Sequence, residues 1–243
     1  MRSAGTPPGL FVTGTDTGVG KTIATGVIAV CLRAHGLNAG VMKPIETGIG
    51  AGVLPDSDWL ISVAPSAVPL ELVAPYRLRA PAAPQIAAEA EDLLIDVQRI
   101  ASAYEALASR HDCMLIEGVG GVMVPLAPEL LVIDLIRQLR LPVLIVARSS
   151  LGSINHTLLT VECLRHRDIP IVGILFNNPT APPDNADSHE TIRMVLQWTG
   201  LRLIGELPHG LGLPQTWDRE RSRLVAHIDI QALLESVGFQ TMA

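Results

Sequence analysis

A short apolar run, LFVT, leads directly into GTDTGVGKT at positions 14–22, and the helical stretch KTIATGVIAVCLRAH follows from position 21. Nothing else in the chain restricts its fold as sharply. A glycine-rich turn that joins a strand to a helix offers unpaired backbone N–H groups and the positive end of the helix dipole, and both attract phosphate. The spelling departs from the ordinary phosphate loop of Gly, four residues, then Gly-Lys-Ser/Thr. Counting back from Gly20, the first glycine belongs at position 15, but Thr15 stands there and the glycine lies at Gly14.

Further strands are expected within LNAGVMKP, ending at Lys43, and at CMLIE (113–117), PVLIVA (142–147), IPIVGILFNN (169–178) and RLIGELP (202–208). Helices are expected at 21–35, from Ser153 onward, over DSHETIRMVLQW with Asp187 and Glu190 as a capping box, and over DIQALLESVG. Leu93, Val97, Ile100, Tyr104 and Leu107 share one face at helical spacing. The segment after Lys43 reads as a Gly- and Pro-rich loop through Asp58, and residues 65–84 carry no clean period. This alternation implies an α/β chain: a single P-loop NTPase-like domain over 1–243, with a mostly parallel doubly wound sheet and helices on both faces. The composition agrees, with 48% hydrophobic and 17% charged residues, as a sheet buried on both faces needs.

In such sheets ligands sit beyond the carboxyl ends of the strands. Gly14–Thr22, Lys43–Gly48, Glu117–Gly121 and Asn177–Asn178 all fall at those ends, so one site is expected. Gly18 and Gly20 allow the backbone, with Val19 between them, to approach a phosphate closely. Lys21 would reach the outer phosphates, and the Thr22 hydroxyl would take one place on Mg²⁺. Glu117 ends an apolar strand where a metal-associated acid is expected. Asp58 is the second candidate acid, with Asp56 competing. Lys43 is a second cation that can stabilise charge developing in phosphoryl transfer. Thr17 and Thr47 add hydroxyls in the same loops.

Cys31, Cys113 and Cys163 form no C-x-x-C pair and read as small buried hydrophobes, against a disulfide framework or zinc. A net charge of −6 gives no electrostatic reason to expect nucleic acid. No signal core and no apolar stretch of membrane-spanning length occurs, so a cytoplasmic protein with no membrane partner is expected.

Taken together, VTGTDTGVGKT (12–22), KPIETG (43–48), SD (57–58), EGVGG (117–121), LGSINHTLLT (151–160), NN followed by PP (177–183) and GELP (205–208) resemble the dethiobiotin synthetase family. Members of that family carry threonine where the ordinary phosphate loop has its first glycine. The resemblance implies ATP- and Mg²⁺-dependent carboxylation of 7,8-diaminononanoate with CO2 and closure of the ureido ring, through a carbamate and a carbamic-phosphoric anhydride. It implies Lys21 and Thr22 on phosphates and Mg²⁺, with Asp58 and Glu117 completing the metal shell. Lys43, Thr17 and Thr47 would face the carbamate and the amines, with Gly118 beside the substrate. Asn177 would read the adenine edge, with Pro208 nearby. Gly152, Ser153, Ile154 and Asn155 match the segment that receives the distal carboxylate from the neighbouring subunit, which implies a homodimer with shared sites. Gly18 and Asn178 stand where some members carry acids. Residues 209–224 match no motif and are expected to cover the nucleotide.

Rival readings are a partitioning-type switch ATPase, a cobyrinic-acid amidating ligase and a catalytically silent nucleotide-binding module. The switch ATPases carry an early lysine where this chain has Asp16, the amidating ligases need a further glutaminase domain, and a silent module would not need Lys43 beside Lys21 and Glu117.

Overall fold

The computed structural model describes residues 9–50, 52–178, 188–208 and 212–237. In chain order the elements are β1 (Gly9–Gly14), α1 (Lys21–Ala34), β2 (Ala39–Met42), β3 (Ile45–Thr47), α2 (Asp56–Val63), α3 (Leu70–Val73) and β4 (Tyr76–Leu78). There follow α4 (Pro84–Glu89), α5 (Val97–Ala108), β5 (Cys113–Gly121), β6 (Pro125–Ala127), β7 (Leu130–Leu131), α6 (Val132–Leu139) and β8 (Val143–Ala147). The chain closes with α7 (Ser153–His166), β9 (Ile171–Asn177), α8 (Ser188–Thr199), β10 (Leu203–Leu207), α9 (Trp217–Val225) and α10 (Ile230–Val237).

Six strands form the main sheet in the order β10-β9-β8-β1-β5-β2, and every pairing within it is parallel. The strands are mostly apolar because both faces are covered, with polar residues such as Glu117 and Asn177 toward their carboxyl ends, and successive side chains alternate between two cores. Phe11, Met114, Ile116, Ile145 and Phe176 join α5, α6, α7 and α8 on one side. Leu10, Val12, Leu115, Val146 and Leu175 join α1, α2, α9 and α10 on the other. The doubly wound parallel sheet expected from the sequence is therefore present. β1 lies between β5 and β8, so the phosphate loop leaves the middle of the sheet.

Several expectations need correction. The stretch after Lys43 is not simply a loop: Ile45–Thr47 pairs in parallel with Tyr76–Leu78, and α2 begins at Asp56. A three-residue strand is too short to show a period, which is why the proline-rich region looked patternless. Leu93 lies before α5 and is exposed, because the Asp96 side chain accepts the Gln98 N–H at 2.8 Å and starts the helix beyond it. The α6 helix was not anticipated. Its first turn is closed by the Leu131 N–H donating to Asp134 at 3.0 Å. Asp187, the expected cap of α8, lies outside the described residues.

Candidate nucleotide site

The conformation of the phosphate loop explains its spelling. A Cβ at Gly14 would lie 2.8 Å from the Asp16 carbonyl oxygen and from Lys21 Nζ, so close approach requires glycine there. Gly18 and Gly20 take left-handed backbone angles, with φ of 70° and 86°, the region that glycine occupies freely. Thr15 does not take a positive φ; its N–H donates to the Val146 carbonyl on β8 at 3.1 Å. The glycine is thus needed one residue earlier than in the ordinary pattern. No side chain caps α1 at Gly20, which leaves its first N–H groups directed at the site.

In front of the loop lies a cavity of about 360 Å³, lined by Thr17, Gly18, Gly20, Lys21 and Thr22 on one wall and by Lys43, Glu46, Thr47 and Asp56 on the other. Glu117, Val119 and Gly120 form its floor, and Trp59, Leu213 and Pro214 lie at its edge. Lys21 is 7% exposed, Lys43 5% and Glu117 1%. Lys43 donates to Glu117 Oε1 at 2.5 Å and pairs with Asp56 Oδ2 at 3.0 Å. The Thr22 hydroxyl donates to the same Glu117 oxygen at 2.8 Å. Lys21 donates to the Asp16 carbonyl at 3.1 Å.

Burial alone would lower the pKa of Lys43, but Glu117 and Asp56 outweigh it by charge and hydrogen bonding and hold Lys43 above the ordinary lysine range. It stays cationic. Burial, then the Lys43 charge, lowers Lys21 to about 8, against the opposing pull of Glu117, Asp56 and Asp16. Burial also pushes the Glu117 carboxyl upward, with Lys43 opposing. Two lysines thus share one small space and differ in how tightly they hold their protons, because only Lys43 has carboxylates in contact.

The second Glu117 oxygen, Oε2, is buried without a hydrogen-bond partner. An unused carboxylate oxygen beside the Thr22 hydroxyl suits a hard cation that takes oxygen ligands. Among the described residues there is no cluster of three His, Cys, Asp or Glu side chains able to hold a metal alone. Mg²⁺ bound mainly through phosphate needs only one or two protein carboxylates, so the residues fit Mg²⁺.

Not every expected residue falls in the cavity. Asp58 does not line it, because Arg77 takes its carboxylate at 3.0 Å. Residues two apart on a helix point in nearly opposite directions, and in α2 it is Asp56 that faces Lys43. Gly118 packs against Phe11, where a Cβ would sit 2.7 Å from the ring, while its neighbours Val119 and Gly120 face the cavity. The Val19 side chain is in the core, and its carbonyl accepts the Asn177 side-chain N–H at 2.8 Å. Asn177 thus ties β9 to the phosphate loop. Pro208 is half-buried and outside the cavity lining. Gly152, Ser153, Ile154 and Asn155 form the start of α7 and also lie outside that lining. Of the expected cover, residues 209–211 lie outside the described residues. Leu213 and Pro214 reach the cavity, and Trp217 of α9 meets Trp59 edge to face at 5.1 Å.

Four residues were missed as functional candidates. Arg148 donates to the Thr17 carbonyl at 2.9 Å and holds the turn of the phosphate loop. Glu46 and Arg77 organise the start of α2, and Trp59 packs so tightly on α1 that a Cβ at Gly26 would lie 2.6 Å from its ring. Only Glu46 carried a usable signal, an acid inside KPIETG three residues after Lys43.

Fold and phosphate loop define the class: a P-loop nucleotide-binding protein with a parallel doubly wound sheet. A ParA-family ATPase from Chlorobium tepidum has the same fold, with a TM-score of 0.57 at 14% identity over 93% of this chain and 98% of that one. The MinC:MinD cell division complex of Aquifex aeolicus gives a TM-score of 0.56 at 15% identity, over 95% and 94%. A family model described as an AAA domain matches residues 8–215. The ATP-dependent dethiobiotin synthetase of Anaeromyxobacter sp. strain Fw109-5 is 40% identical over 220 residues, which cover 90% of this chain and 98% of the relative. The Thermodesulfovibrio yellowstonii synthetase is 39% identical, over 93% and 98%, and that of Bacillus subtilis strain 168 is 34% identical, over 95% and 99%. The chain belongs to the ATP-dependent dethiobiotin synthetase family, enzymes that are carbon–nitrogen bond-forming ligases.

Proposed function

We propose that this chain carboxylates 7,8-diaminononanoate with CO2 and closes the ureido ring of dethiobiotin, using ATP and Mg²⁺. The observation that carries the reading is the buried cation Lys43, held by Glu117 and Asp56 across the cavity from the phosphate loop.

The chemistry follows from where charge must be offset. One amine of the substrate attacks CO2 and loses a proton, giving a carbamate. A carbamate oxygen then attacks the γ-phosphorus, the bond to the ADP oxygen breaks, and a carbamic-phosphoric anhydride forms. The second amine attacks the carbamoyl carbon, phosphate leaves, and the ring closes with loss of another proton. Carbamate and triphosphate are both anionic and repel each other. Lys21 from one wall and Lys43 from the other would offset that repulsion and hold the two groups in line. The Thr17 and Thr47 hydroxyls line the same space and would orient the carbamate and the amines. Mg²⁺, held by Thr22, Glu117 and an acid of the first turn of α2, would supply further positive charge at the phosphate oxygens.

The distal carboxylate of the substrate would be received by Gly152, Ser153, Ile154 and Asn155 of a second copy in a homodimer. In one copy these residues do not line the cavity, and free N–H groups at a helix start suit a carboxylate. Such a chain would work in the cytoplasm, where ATP is supplied; among the described residues no helix is long and apolar enough to cross a membrane.

The test uses ATP, Mg²⁺, the diamine and ¹³C-labelled bicarbonate. The expected product is dethiobiotin labelled at its ureido carbon, formed in equal amount with ADP. Unlabelled product, or ADP without dethiobiotin, would overturn the reading.

A further inference from the structure

The wall of the cavity that carries Asp56 depends on a residue with no role in the scheme above. α2 starts at Asp56 after Pro55, which provides no side-chain cap. The first N–H groups of a helix must nonetheless find acceptors when they are enclosed. Here the acceptor comes from another element. The Glu46 carboxylate on β3 accepts the backbone N–H of Asp56, the backbone N–H of Ser57 at 3.3 Å and the Ser57 hydroxyl at 2.6 Å. Glu46 is 3% exposed. Its strand neighbour Arg77, directly opposite in the β3–β4 register, lies 3.8 Å from the same carboxylate and donates to Asp58 at 3.0 Å. One buried acid therefore sets the first turn of α2, and the two acids of that turn are held by Lys43 and by Arg77.

We infer that Glu46 is a positioning residue for the reaction: acting as the helix cap that α2 lacks, it aims Asp56 of the first turn at Lys43 and the metal. This rests on the proposed ATP- and Mg²⁺-dependent chemistry. Glu46 lines the cavity, but its oxygens are occupied by α2, so it acts through Asp56 and Lys43 and does not act on substrate. A negative charge at a helix start is also favoured by the dipole, which suits an acid to this place.

The experiment compares wild type, Glu46→Gln, Glu46→Ala, and Glu46→Ala added to Asp56→Asn/Asp58→Asn. Dethiobiotin formation is measured together with calorimetric binding of ADP, with and without Mg²⁺. Glu46→Ala is expected to lower kcat, and the gain in ADP affinity that Mg²⁺ provides, by about 10- to 100-fold, the usual effect of removing a support behind a metal ligand. ADP binding without Mg²⁺ should stay as in wild type. Glu46→Gln should restore most of the loss, because its amide oxygen accepts the same two N–H groups. In the background lacking both acids, Glu46→Ala should change nothing further.

Wild-type behaviour of Glu46→Ala would overturn the inference. So would an equal loss of ADP affinity without Mg²⁺, or effects that multiply in the combined variant. If Glu46→Ala does not fold, Ser57→Ala removes a single bond to the same carboxylate. A smaller loss in the Mg²⁺-dependent gain supports the inference, and an unchanged gain overturns it. A wild type that makes no dethiobiotin would refute the proposed reaction, while the ADP and Mg²⁺ measurements would still decide the role of Glu46.

Discussion

The phosphate loop at Gly14–Thr22 and the segment running from β3 into α2 face each other across one cavity, yet they are shaped by different means. The loop's path is set first by its backbone, with glycine at 14 for close approach and glycines at 18 and 20 for their angles, and the Arg148 and Asn177 side chains then pin its Thr17 and Val19 carbonyls. The facing wall is fixed by side chains from distant positions, with Glu46 capping α2, Arg77 holding Asp58, and Lys43 bridging Glu117 and Asp56. The first wall should bind nucleotide by itself. The second should matter for the reaction and little for nucleotide binding.

The largest effect is expected from Lys43→Ala. Removing a cation aimed at developing charge should lower kcat by about 10²- to 10³-fold, while calorimetric ADP affinity stays near wild type. A parallel loss of ADP affinity would break the division between the walls. The same change leaves Glu117 buried without its partner, and thermal or denaturant unfolding should show a loss of about 3 kcal/mol. Gly14→Ala should act on the other wall. A Cβ there overlaps the Asp16 carbonyl and Lys21, so about 1–3 kcal/mol of stability should be lost, with weaker ADP binding at any Mg²⁺ concentration.

A smaller effect is expected from pH. Lys21 titrates near 8 in the free protein because of burial and then Lys43, and bound phosphate raises its pKa. Nucleotide binding therefore takes up a proton above pH 8. Affinity should be full below that pH and fall by up to about tenfold per pH unit above it. Calorimetry in buffers of different ionisation enthalpy would read the proton uptake directly; no uptake at pH 9 would contradict the assignment. The smallest effect should come from Thr15→Gly, which restores the ordinary spelling. Thr15 needs no positive φ, so kcat and ADP affinity should hardly change, with stability lower by about 1 kcal/mol or less from added chain entropy.

The same contrast explains what could be read from the sequence. The loop, the parallel sheet and the lysine and acid at strand ends depend on local spacing, and the strands alternate between two cores in runs long enough to recognise. Lys21, Thr22, Lys43 and Glu117 line one cavity because β1, β5 and β2 are neighbours in the sheet. Lys43 follows β2 directly, Glu117 lies within β5, and Lys21 and Thr22 open the helix after the loop that leaves β1. β3, α2 and β4 were not legible, since each is short and held by partners remote in sequence. Asp58 was preferred over Asp56 because nothing local reveals that Arg77 binds the former. Glu46 stood in a quoted motif without a role, because its partners at Asp56 and Ser57 appear only once α2 has folded against β3. Gly118 looked like part of a substrate loop but serves packing against Phe11.

If ATP is consumed here only in the service of a carbamate, with Lys43 present for that step, phosphate release must depend on the substrates that form the carbamate. The most direct measurement is phosphate release by the wild-type protein from ATP and Mg²⁺, with bicarbonate and 7,8-diaminononanoate each supplied or withheld. The account predicts release only when both are present, in equal amount with dethiobiotin. Release at the same rate without the diamine would contradict it, and would leave a nucleotide hydrolase whose second wall serves some other end.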